Sequence, residues 1–318
     1  MNKNRFFTMT AFAAIVLPLA MTSCNNISDE EADDNLQMEL RLSSGVEMQM
    51  RAAFPGTDVQ IPYGENIAVY VDEAGGAVQL YEKNTLTANG SGSLYGGTPM
   101  FFPANGNSVD IYALHTNATF PTTYPTATLT HEVSADQRML AGYAPSDLLY
   151  ARRTNVAKTT SSVNLTFYHL LSKLQVAVKA GDGLTDTDIV GVTIGGMKLQ
   201  ANFSLDKTTA PNAVAITAAG TASPITIGAD VSQDFTSANI SHNDAIIVPQ
   251  TLTANTVFVM VHLLDGSNLV YRLPVETTFQ SGKKYEYQIT ANLWGLTLTT
   301  SIEDWVPVGL VTGIATME

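Results

Sequence analysis

The chain contains one cysteine, Cys24, and its surroundings suit acylation of the sulfur rather than disulfide formation. Lys3 and Arg5 precede an apolar run from Phe6 to Ala20, and Met21-Thr22-Ser23 leads into Cys24 with small residues just ahead of it. This is the layout of a secretory signal ending in a lipobox, residues 1–23, whose removal leaves Cys24 as the first mature residue with acyl chains on its sulfur and amine. A lone cysteine in an exported chain has no disulfide partner within that chain. The apolar run is shorter than the ~20 residues that span a bilayer, and no later stretch qualifies. Several acyl chains anchor firmly where one does not. Cys24 therefore predicts an outer-membrane lipoprotein at the cell surface.

Other reactive side chains point away from catalysis. His115, His131, His169, His242 and His262 lack the His, Cys or acidic neighbours that build zinc sites. His169 lies within Leu165–Leu171, where its ring is expected to hydrogen-bond at a strand. The glycine-rich run Gly90–Gly97 has neither G-x-G-x-x-G spacing nor a flanking βαβ pattern and reads as a surface loop. No G-x-S-x-G elbow occurs. Asp182, Asp186 and Asp188 crowd one segment but miss the calcium-loop pattern, which favours a solvated turn. No carboxylate pair stands out for glycoside hydrolysis. Tyr285, Tyr287, Trp294 and Trp305 cluster near the C-terminus, where aromatics could stack on sugars, yet their spacing favours core or interface positions. The residues call for no enzyme, metal or cofactor.

Composition narrows the partners. Of 318 residues, only 14% are charged, and the formal charge of −13 becomes −15 once Lys3 and Arg5 leave with the signal. Such acidity repels nucleic acid and anionic lipid surfaces. Abundant Thr, Ser, Ala and Val with Gly/Asn punctuation suit an extracytoplasmic all-β protein. Stability must come from buried apolar surface, since no cysteine pairs are present.

Position along the chain then supplies the elements. Leu36, Met38, Leu40 and Leu42 alternate with polar residues, Ser43-Ser44-Gly45 interrupts, and Val46, Met48 and Met50 resume the alternation. Period two with one apolar face predicts a strand that buries one side. Further strand-like runs are Ile67–Val71, Val109–Leu114, Val163–Lys179, Val192–Ile194, Lys198–Leu205, Ala245–Val248, Val257–Leu263, Leu269–Pro274, Tyr285–Ala291 and Leu296–Ile302. Turn signals separate them, which predicts β-sandwiches without a long amphipathic helix. Residues Pro145–Ala151 hold at most a short helical turn. The polar stretch Arg152–Ser162 sets an expected domain boundary near residue 160, dividing 52–160 from 161–318.

Several stretches in this order resemble the fimbrillins, lipoprotein subunits of the type V pili of Bacteroidales. They include Met50-Arg51-Ala52-Ala53, Phe102–Gly106 with Val109–Leu114, Ser146–Ala151, Leu165–Leu174, and Ser281–Tyr285 through Ile302–Trp305. The acidic residues Asp29, Glu30, Glu31, Asp33 and Asp34 are similar to the tether that follows the lipidated cysteine in surface lipoproteins of that order. The resemblance implies two transthyretin-like Greek-key β-sandwich domains in tandem. It also implies cleavage between Arg51 and Ala52 by an arginine-specific protease, with residues 24–51 as acidic tether and removable strand. A strand from a neighbouring subunit would then fill the vacated groove, and the fibre would support adhesion to a host or bacterial surface receptor. Met50 stands where threonine is often found, and Arg41 remains an alternative cleavage point.

The residues give this scheme a physical basis of their own. A strand with one apolar face completes a sandwich only while attached, and its loss exposes unpaired backbone and an apolar trough. A donor must restore the same pattern by β-strand addition. Leu296, Leu298 and Ile302 share one face and, with Tyr285, Tyr287 and Ile289, form an expected C-terminal donor hairpin near 285–302. Stalk subunit, tip adhesin, pilus anchor and monomeric glycan-binding lipoprotein remain the competing roles.

Overall fold

The structure is a computed structural model and describes residues 37–46, 60–75, 78–228, 243–304 and 310–314. Residues 37–318 belong to one compact unit. In chain order its strands begin with β1 (Leu42–Val46), β2 (Asn66–Glu73), β3 (Gln79–Ala88), β4 (Leu94–Tyr95), β5 (Val109–His115), β6 (Leu129–Glu132) and β7 (Leu149–Val156). There follow β8 (Val163–His169), β9 (Ser172–Ala180), β10 (Ile189–Ile194), β11 (Lys198–Phe203), β12 (Ile216–Ala222), β13 (Ile225–Ile227) and β14 (Asp244–Ile247). The last are β15 (Thr251–Leu252), β16 (Val257–Leu263), β17 (Asn268–Arg272), β18 (Thr277–Thr278), β19 (Lys283–Asn292), β20 (Gly295–Asp304) and β21 (Leu310–Ile314). Among the described residues there is one short helix, α1 (Leu140–Tyr143), and three single 3₁₀ turns.

Seven strands form the first sheet in the order β1-β8-β7-β5-β2-β3-β4. Its central strands β2 and β5 are buried on both faces, and the residues explain why. Ile67, Val69, Val71, Ile111 and Ala113 enter one hydrophobic cluster, whereas Ala68, Tyr70, Tyr112 and Leu114 on the opposite face enter a second, larger one. Alternation is lost from such a strand because both pleat faces need apolar side chains. The larger cluster continues between the β14-β9-β19-β20-β21 and β13-β10-β16-β17 sheets.

Several expectations shift here. Val163–Lys179 is two strands, because Leu170 and Leu171 carry the chain from the first sheet into the second. Their backbone groups are met by Leu148 O (2.9 Å), Ser281 Oγ (2.6 Å) and Gly282 N (2.8 Å), which fixes the crossing. The first sheet thus extends to His169. Strand β6 also pairs with β11, so one earlier segment is built into the later half. The Pro145–Ala151 stretch supplies part of the 3₁₀ turn Ala144–Ser146 and then enters β7. Strands β3, β4, β6, β7, β12, β13, β15, β18 and β21 fall outside the strand-like runs read from the sequence.

Three histidines brace the junction. His169 Nδ1 lies 2.8 Å from Asp147 Oδ2, and His115 spans Asp147 O (2.7 Å) and Glu65 Oε2 (3.0 Å). His131, fully buried, sits between Thr116 Oγ1 and Ser146 O, each at 2.8 Å. Burial pushes the His131 pKa down to about 4 from the ordinary 6.5, aided by the neighbouring His115. The unfolded chain therefore takes up a proton near pH 6.5 that the folded chain resists until about pH 4. Folding stability should fall across that window, by about 3 kcal/mol at most. Denaturant titrations at several pH values check this: a His131→Gln variant should lose that part of the slope.

Candidate assembly site

Residues 37–46 lie in a slot that the first sheet leaves open. On one side β1 pairs in parallel with β8, from Leu42 opposite Val163 to Val46 opposite Phe167. On the other side Phe102 N donates to Met38 O (2.9 Å), Leu40 N to Met100 O (2.8 Å) and Ser44 N to Gly92 O (2.8 Å). Isolated bridges Glu39–Phe101 and Ser43–Ser93 complete that edge, so the segment closes the sheet on itself.

The apolar side points inward. Leu40, Leu42 and Val46 are 3%, 6% and 6% exposed, and Met38 packs partly buried against the same cluster. Ile61, Met100, Phe102, Leu165 and Phe167 share that cluster. At ~1.5–3 kcal/mol for each large side chain, these three contribute roughly 5–9 kcal/mol before ordering costs. Withdrawal of the segment would bare the backbone edge of β8 and the trough beneath it.

The interruption expected at Ser43-Ser44-Gly45 is absent: β1 runs through it, with Ser44 on the buried face. Pairing on both edges holds these turn-prone residues extended, since the site overrides weak local preference. The opposite wall was hidden in the glycine-rich loop. Gly92 adopts φ +88°, and a Cβ there would lie 3.1 Å from Ser44 O, so glycine permits the close approach. Gly92 and Ser93 wall the slot through backbone groups, which side-chain types do not report, whereas Met100 and Val163 add buried side chains to their backbone bonds. Leu36, Met48, Met50, Arg51, Ala52 and Cys24 lie outside the described residues.

The other expected partner of assembly is placed differently. Strand β19 lies between β9 and β20, parallel to the first and antiparallel to the second. Tyr285, Tyr287, Ile289, Leu296 and Leu298 are buried in the chain's own core. Phe279 meets Tyr285 at a ring-centroid distance of 4.9 Å, and Phe258 meets Tyr287 at 5.1 Å. Ile302 pairs with Tyr285 through the β19–β20 ladder. Donating β19 would take these side chains out of that core. Beyond it lies β21, which among the described residues pairs with β20 alone, at the sheet edge.

Among the described residues, no group of three His, Cys, Asp or Glu side chains could hold a metal ion. Asp188 instead accepts from Thr185 N and Oγ1 (both 2.7 Å), capping its own 3₁₀ turn. Trp294, raised as a sugar platform, is exposed at the β19–β20 turn beside Leu293, and Trp305 lies outside the described residues.

The profile of the family described as fimbrillin-like matches residues 51–305. The chain belongs to the fimbrillin-like family. This is a family of structural fimbrial subunits, not of enzymes, and such subunits are exposed at the cell surface. The fimbrillin-like chain is 24% identical over 315 residues to the candidate fimbrium subunit Fim1C of Bacteroides uniformis, covering 96% of each. Its fold matches crystal structures of two candidate cell adhesion proteins. One, from Bacteroides uniformis, gives a TM-score of 0.59 at 22% identity, over 84% of this chain and 98% of that one. The other, from Bacteroides ovatus, gives 0.62 at 18% identity, over 86% and 99%. The family match starts at Arg51 and stops at Trp305, so both β1 and β21 of this fimbrillin-like chain fall outside it.

Proposed function

We propose that this protein is a fimbrial building subunit, exported as a lipoprotein acylated at Cys24 and matured by cleavage after Arg51. An arginine-specific protease then frees residues 24–51, and a strand from a neighbouring subunit takes the vacated slot. The resulting fibre supports adhesion. The observation that carries this reading is the seat of residues 37–46, hydrogen-bonded on both edges and apolar beneath.

The same seat favours Arg51 over Arg41. Although the Arg41 side chain is exposed, its carbonyl accepts from Val163 N (2.8 Å) within the inserted strand, which withholds that peptide from a protease cleft. Cleavage after Arg41 would also leave β1 attached and the slot filled. Cleavage after Arg51 detaches the whole segment.

Treating the purified precursor with an arginine-specific protease tests the proposal. An Ala52 N-terminus and SDS-resistant oligomers are the expected result. Monomers that persist after complete cleavage at Arg51 would overturn it.

A further inference from the structure

Among the described residues, three Phe, Tyr or Trp side chains are exposed: Tyr63, Tyr95 and Trp294. The two tyrosines meet. They are 75% and 47% exposed, and a hydrogen bond between their side chains pushes the Tyr95 phenol above its ordinary pKa of 10. A single exposed ring calls for no explanation, but two that meet make a surface.

Backbone contacts hold both rings in place. Tyr63 is the second residue of the turn 62–65, which Glu65 N closes on Pro62 O (3.3 Å). Gly64 N donates to Ala88 O (3.0 Å) and Ala88 N to Glu65 O (2.9 Å), fastening that turn to β3. Gly90, with φ +71°, closes over it, and a Cβ there would lie 3.1 Å from Tyr63 N. Tyr95 of β4 is opposite Thr87 of β3, and Thr87 is opposite Asn66 of β2. Direct partners in antiparallel strands share a face. Further along β2 that face carries Ala68 and Tyr70 into the larger core, so Asn66, Thr87 and Tyr95 form its solvent end. Thr87 Oγ1 donates to Asn66 Oδ1 (3.2 Å). That bond uses the hydroxyl proton and the amide oxygen, which leaves amide N–H donors and hydroxyl lone pairs for a ligand.

We propose that Tyr63, Tyr95, Thr87 and Asn66 bind the pyranose ring of a neutral saccharide. A pyranose has C–H groups on its ring face and adjacent hydroxyls around its rim. The C–H face stacks on the tyrosines, while one hydroxyl donates to Thr87 Oγ1 and its neighbour accepts from Asn66 Nδ2. A few fixed polar groups beside apolar rings are what orient a small ligand. None of the four side chains is charged, and the Glu65 carboxylate beside them lies 3.0 Å from His115 Nε2. The row therefore offers nothing to an ionic ligand, and the formal charge of −13 disfavours anionic sugars. A protein partner needs roughly 800 Å² from each side, more than two rings and two small polar side chains present. The inference deepens the adhesion part of the reading above by giving the fibre a class of receptor. It rests on that reading for this role, and not for binding itself.

Saturation-transfer NMR on the uncleaved precursor, with lactose and maltose as probes, separates the two, because binding is measured before any strand exchange. At about 10 mM sugar, well above a millimolar Kd, saturation should pass to the C–H protons of at least one probe. Tyr63→Ala and Tyr95→Ala should each weaken that transfer by about fivefold. Asn66→Ala should weaken it as well, whereas Trp294→Ala, which removes an exposed ring outside the row, should leave it unchanged. No transfer to either sugar, or transfer that survives both tyrosine substitutions, would overturn the site whether or not cleaved subunits assemble. Sugar binding by a precursor whose cleaved subunits stay monomeric would overturn strand exchange and leave the saccharide site standing.

Discussion

Asp244→Ala is expected to lower the unfolding free energy by about 3–5 kcal/mol, the usual cost of orphaning a buried charge. Lys173 Nζ lies 2.8 Å from Asp244 Oδ2, and both side chains are 0% exposed. Lys173 sits in β9 and Asp244 in β14, where Asp244 is opposite Gln175 and diagonal to the lysine. The Tyr143 ring centroid is 6.0 Å from the ammonium, so little water is near to take over from the carboxylate. Chemical denaturation measures the loss. Lys173→Met combined with Asp244→Leu should recover much of it, because it removes both charges instead of stranding one. A change below about 1 kcal/mol in Asp244→Ala would show that the pair contributes no more than an exposed one.

The second large effect is on assembly. Leu42→Asp should make the uncleaved precursor polymerise. The substitution forfeits ~1.5–3 kcal/mol of leucine burial and places a carboxylate in an apolar trough, at a cost of several kcal/mol. Against a seat of roughly 5–9 kcal/mol, that is enough to expel the segment with Arg51 still intact. Size-exclusion chromatography and SDS-resistant ladders, with arginine-specific protease absent, provide the readout. A precursor that stays monomeric, its residues 37–46 still protected from hydrogen exchange, would refute the slot as the switch. Thr128, exposed just ahead of β6 in a sheet other than the one that holds β1, offers a control: Thr128→Asp should leave the precursor monomeric.

Much of this architecture was legible from residue order. The alternation of Met38, Leu40 and Leu42 gave the inserted strand its buried face, and Ile67–Val71 and Val109–Leu114 marked the sheet centre. What escaped has physical causes. Ser43-Ser44-Gly45 carries turn chemistry, yet pairing on both edges keeps it extended, and no local rule reports a second edge. Leu170-Leu171 continues an apolar run without a break in composition, so the change of sheet there is invisible until Leu148, Ser281 and Gly282 are seen to take its backbone groups. Tyr285, Tyr287 and Ile289 alternate as a donor face would and also pack in the chain's own core, because a detachable face and a core face have the same period. Gly92 and Ser93 form half of the slot through main-chain atoms, which side-chain identity does not encode.

The crossing at Leu170-Leu171 bears on how such a filament would carry tension. Strand β8, which borders the incoming strand, continues covalently through those two leucines into β9. Strand β9 then lies parallel to β19 over eight residue pairs, and β19 leads through β20 to the edge strand β21. A pull applied from one neighbour to the next would run along the strands, straining these ladders sideways as a group. Bonds stressed together in that way yield at far higher force than bonds peeled open one after another.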